Sequence, residues 1–73
     1  MKEFTVCYTL DNNIKTEKLI KELDVKKEDV EQEVIEKLLR YNYFIVKDDQ
    51  GLFMINSYLI RYVRVINEKI LVL

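Results

Sequence analysis

The first regular pattern along the chain has a period of two. In EFTVCYTL, residues 3–10, Phe4, Val6, Tyr8 and Leu10 fall on one side and Glu3, Thr5, Cys7 and Thr9 on the other. Successive strand side chains point to opposite faces, so this alternation predicts a half-buried strand. The turn-forming run Asp11, Asn12, Asn13 follows directly, and residues of this type tolerate the tight backbone of a reversal. Residues 14–23, IKTEKLIKEL, carry two patterns. The preceding turn favours a return strand over 14–19. The Glu, Lys and Leu content, with Leu19, Ile20 and Leu23 on one helical face, leaves a short helix over 16–23 open. Beyond them, Val30, Val34, Leu38 and Tyr41 recur at helical spacing, and Ile35 and Leu39 widen the stripe. Acids fill the first turns and Lys37 and Arg40 the last, an order that suits the helix dipole. A helix over about 27–41 follows, with Val25 and Val30 placed as a hydrophobic staple if Lys26 is the N-cap.

The C-terminal half reads as strands. YFIVK (43–47) and LFMIN (52–56) flank the glycine-ended turn DDQG, a hairpin pattern. Asn56 and Ser57 break the second run. YLIRYVRVI (58–66) reads as a further strand, Asn67–Glu68 as a tight turn and KILVL (69–73) as a last strand. Both alternating sets of these segments are apolar, so something must cover both faces. The expected architecture is α+β: one domain over 1–73, an antiparallel sheet of four or five strands, and one main helix on one face. A helix of about fifteen residues is roughly 22 Å long and covers a single face. The other face either curls in on itself or stays open as an interaction site.

Composition narrows the picture. Half of the 73 residues are hydrophobic and a third are charged, with a formal net charge of −1. That balance is globular and gives no global attraction to nucleic acid or to an anionic membrane. A domain this small buries only about 60% of its unfolded surface, so good packing or oligomerisation must stabilise it. Cys7 is the single cysteine and there is no histidine. An internal disulfide and a structural zinc site are therefore ruled out, and no cofactor or metal is expected. The first residues lack the apolar run of a secretory signal, which predicts a cytoplasmic chain with Cys7 reduced. The absence of alanine and proline, with abundant Lys, Ile, Asn and Tyr, fits an AT-rich genome such as that of a low-GC bacterium or its phage.

Chemistry-bearing residues are few. Without histidine the usual general base at neutral pH is missing, and Cys7 has no imidazole partner, so no catalytic residue is expected. Two surfaces remain. The aromatic and aliphatic residues Tyr43, Tyr58, Ile60 and Tyr62 are the candidates for an interface with a second copy of the chain or another protein. Arg40, Arg61 and Arg64, interleaved with tyrosines, are the alternative as a nucleic-acid contact. The acids Glu28, Asp29, Glu31, Glu33 and Glu36 leave room for a third reading, an acidic inhibitor of a nucleic-acid enzyme. The leading expectation is a non-enzymatic accessory module that binds protein, most simply as a homodimer.

Overall fold

The computed structural model describes residues 1–72. The first alternating stretch forms β1 (Lys2–Thr9), and the ambiguous one forms its return strand, β2 (Ile14–Lys21). Strand wins over the helix-forming composition of this segment because of what the alternate positions meet. Leu19 lies opposite Phe4, and Glu17 lies opposite Val6 beneath the Tyr8 hydroxyl. Tertiary packing has overridden a weak local preference.

The helix α1 (Lys27–Arg40) follows the sequence pattern closely. Lys26 supplies no side-chain cap; instead the Asp29 carboxylate accepts a 2.9 Å hydrogen bond from the Lys26 N–H. Val30 and Val34 are buried, and Val25 and Leu38 pack beside them. Two further strands, β3 (Tyr43–Asp48) and β4 (Gly51–Asn56), form the second hairpin, and β5 (Tyr62–Ile70) completes the fold.

All strand pairings are antiparallel, and the five strands divide into two sheets ordered β2-β1-β5 and β3-β4. Both sheets and the helix feed one core: Phe4, Val6 and Tyr8 from β1, Val65 from β5, Val30 and Val34 from α1, and Phe44, Val46 and Ile55 from the second hairpin. The face of β1 predicted to be buried is the face the helix covers.

The C-terminal third departs from expectation. Residues 58–61 are not strand. Ser57–Leu59 form a single 3-10 turn, with the Asn56 side chain accepting from the Tyr58 N–H. The Ser57 hydroxyl bonds the carbonyls of Tyr41 and Asn42 and ties this turn to the end of the helix. The expected turn at Asn67–Glu68 is also absent, because β5 runs through it to Ile70. The reason lies in β1, whose eight residues offer a full-length partner. Asn67 pairs with Thr5, Glu68 with Phe4, and Glu68 takes a 2.7 Å salt bridge from Lys2. The expected last strand 69–73 therefore reduces to the end of β5; Leu71 and Val72 lie beyond it, and Leu73 lies outside the described residues.

A register shift between Thr5 and Val6 leaves Ile66 as the extra residue of a β-bulge in β5. A bulge reverses the parity of the strand around it. Val63 and Val65 share the inner face with Tyr8 and Val6, and beyond the bulge Glu68 takes that face opposite Phe4. The second apolar set of this segment, Tyr62 and Ile66, is exposed, so β5 is buried on one side only.

Candidate interaction surface

The β3–β4 hairpin carries the most open apolar surface of any strand pair. Its turn is set locally: the Asp48 carboxylate accepts from the Gln50 and Gly51 N–H groups at 2.7 and 3.1 Å. Gly51 takes a φ of +135°, a conformation that residues with a side chain rarely adopt. From there the register is strict, with Phe44 opposite Ile55 and Ile45 opposite Met54. Phe44, Val46 and Ile55 enter the core. The alternate set faces away from it: Tyr43 is 58% exposed, Ile45 55%, Leu52 69% and Met54 72%. Ile45 and Met54 are direct cross-strand neighbours, Leu52 sits opposite Lys47 and Tyr43 opposite Asn56. The result is one apolar patch with a polar residue at each end.

Of the residues expected to form an interface, only Tyr43 lies on this patch. Tyr58 is on the 3-10 turn and is 80% exposed. Ile60 packs partly against the core. Tyr62 begins β5 and is exposed where that strand pairs with Thr9. Ile45, Leu52 and Met54 were not singled out from sequence, although their alternation was visible there. The missing criterion was charge, since Lys47 is the only charged side chain that alternation places on that face.

The three arginines meet different surroundings, and one of them, Arg61, forms an ion pair. Arg61 pairs with Asp11, and that hydrogen bond raises its already high pKa. Arg40 borders a depression with Glu33, Glu36, Lys37 and Tyr41. Arg64, opposite Cys7 on β1, borders a groove with Glu31 and Ile35.

Inside the molecule, α1, β1, β2 and β3 meet at a polar cluster that no local pattern announces. The buried Tyr8 hydroxyl donates a 2.8 Å hydrogen bond to the buried Glu17 carboxylate. Lys37 Nζ lies 3.9 Å from Glu17 Oε1 and 5.0 Å from the centre of the Phe44 ring. The Tyr8 and Phe44 rings are 5.4 Å apart. Burial first, and then the hydrogen bond to Glu17, hold the Tyr8 phenol far above its ordinary pKa. A hydroxyl so placed reaches no solvent-borne substrate, and its work is to satisfy a buried carboxylate. Cys7 is buried in the middle of the three-stranded sheet. Among the described residues no three His, Cys, Asp or Glu side chains converge as metal ligands, and no helix is long and apolar enough to cross a membrane.

Comparison with protein-family models, with curated proteins and with solved structures returns no match. The functional reading therefore rests on the geometry of this chain.

Proposed function

We propose that the protein is a non-enzymatic protein-binding module that self-associates or docks on another protein through the outer face of the β3–β4 hairpin. The observation that carries this reading is the patch of Tyr43, Ile45, Leu52 and Met54, each more than half exposed on a strand pair whose other face is core. Contiguous exposed apolar surface costs solubility unless a partner covers it, and such patches mark interaction sites. The arginine surfaces support a nucleic-acid contact less well, because Arg61 is paired with Asp11 and Arg40 and Arg64 lie on different elements, α1 and β5.

The test substitutes Ile45→Glu and compares solution mass by sedimentation equilibrium over a wide concentration range. Ile45 lies outside the core, so thermal unfolding of the dilute variant should change by less than about 0.5 kcal/mol. Self-association of the unmodified chain, or its capture of a defined protein, should be lost in the variant. A variant that keeps every interaction of the unmodified chain defeats the proposal.

A further inference from the structure

We infer that the occupant of this surface is a second copy of the chain, joined to the first by antiparallel pairing of β4 with β4 about a two-fold axis at Met54. The inference rests on the docking reading above and adds to it the partner and the geometry. Its starting point is the backbone. The Ser57 N–H bonds the Asn42 carbonyl at 2.8 Å, and Tyr43 lies opposite Asn56. In an antiparallel ladder, hydrogen-bonded and non-bonded pairs alternate. The pairs Phe44–Ile55 and Val46–Phe53 therefore exchange bonds with each other. The N–H and C=O groups of Leu52, Met54 and Asn56 point to the opposite side of β4, where no strand lies among the described residues.

The other edges are guarded. β2 carries Lys15, Lys18 and Lys21. β5 carries Arg64, Glu68 and Lys69 together with its bulge. β3 neighbours β2 on its outer side. Charges, lysines above all, and bulges are the devices that keep strand edges from pairing. β4, GLFMIN, has neither, and it has no proline. Of the strand pairings two copies can make, β4 with β4 is the one in which the pairing strands themselves are uncharged; Lys15 of β2, its Nζ 3.9 Å from the centre of the Phe53 ring, lies on the face away from Met54.

The register follows from using every outward group. With the axis at Met54, the two Met54 residues face each other and Leu52 faces Asn56 of the second copy. Phe53 faces Ile55, and the result is a four-stranded sheet β3-β4-β4-β3. Ile45 and Met54 of each copy then form one strip across the junction. Area points the same way. Four side chains are far fewer than the roughly 20–30 residues per side of a standard interface, which buries about 800 Å² of each partner. The adjoining edge supplies further contact and directional hydrogen bonds, and a two-fold arrangement is closed, giving a dimer and not a fibre.

Hydrogen exchange of the full chain, read residue by residue at low and high protein concentration, tests this directly. Slowed exchange at the Leu52, Met54 and Asn56 amides on association is expected. Phe53 and Ile55, already bonded to β3, serve as the reference. Met54→Pro removes an outward N–H without touching the ladder to β3. Met54→Lys places like charges at the axis and serves if the proline variant does not fold. Either should weaken dimerisation by about tenfold or more. A dimer whose outward amides exchange as fast as in dilute solution associates by its face alone; that overturns the edge pairing and leaves the docking reading standing. A strict monomer at every concentration overturns the second copy as occupant, and the docking reading then stands or falls on the effect of Ile45→Glu upon other partners.

Discussion

The two hairpins of this protein follow one plan and end in opposite surfaces. On the side of β1–β2 away from the core cluster stand Glu3, Thr5, the buried Cys7 and Thr9 on one strand and Ile14, Thr16, Lys18 and Ile20 on the other. Its apolar outward residues stand at the two ends of β2, with Thr16 and Lys18 between them. In β3–β4 the apolar outward residues adjoin one another, and the outer strand is uncharged. Both hairpins bury their inner faces in the same core. Their difference is therefore not about folding but about where charge lies, along β2 in one hairpin and absent from β4 in the other.

The sharpest way to test that contrast is to alter the two faces of β3–β4 separately. Phe44 is in the core, its ring centre 5.4 Å from that of Tyr8 at a tilt of 52° and 5.0 Å from Lys37 Nζ. Phe44→Ala should cost about 3–5 kcal/mol, enough to unfold a domain whose whole stability is a few kcal/mol. Met54→Ala, on the outer face, should shift the urea midpoint of the dilute protein by an amount equivalent to less than about 0.5 kcal/mol. Equal losses for the two would mean that the outer face is structural and the contrast false.

A smaller effect is expected where the hairpins meet the helix. Tyr8→Phe removes the hydroxyl that satisfies the buried Glu17 and leaves that carboxylate with Lys37 at 3.9 Å. Stranding a buried acceptor costs about 1–3 kcal/mol. The pH dependence has a definite sign. The phenol pKa is raised in the folded state, so the unfolded chain releases this proton first, near its ordinary value of about 10. The stabilisation is complete below that pH and declines as pH rises above it. Urea midpoints taken from about pH 8 to about pH 11 should fall at the alkaline end in the unmodified protein and fall less in Tyr8→Phe. Identical alkaline limbs would show that Tyr8 does not control them.

Much of this architecture was legible because local pattern and tertiary context agree. The periods of two in β1, β3 and β4 and of 3.6 in α1 survive into the structure, and the DDQG turn is where Asp48 and Gly51 build it. What was not legible depends on residues far apart in sequence. The segment 14–21 is strand because Leu19 lies opposite Phe4, and Glu17, opposite Val6, accepts from the Tyr8 hydroxyl. Asn67–Glu68 is strand because Lys2 and Phe4 wait across the sheet. Residues 58–61 leave the strand around the Ser57–Leu59 turn, and the second apolar set that stays on β5, Tyr62 and Ile66, is exposed. Reading 58–66 as one strand placed the expected interface on Tyr58, Ile60 and Tyr62 together with Tyr43, and of these four Tyr43 alone lies on the open patch.

The finest test of the contrast changes the hairpin that is guarded. Ile20 is exposed on the outward side of β2, opposite Glu3 and two residues beyond Lys18. A lone exposed isoleucine beside charged neighbours is ordinary surface. Ile20→Lys should therefore leave thermal stability within about 0.5 kcal/mol and leave the association measured by sedimentation unchanged. The same charge placed at Met54, in the middle of the uncharged strand, should weaken it. If Ile20→Lys disrupts association as strongly as Met54→Lys, the β1–β2 face takes part in the contact, and lysines along β2 do not keep that sheet out of it. If it has no effect, the position of charge along the edge, and not exposed apolar area by itself, decides which hairpin meets a partner.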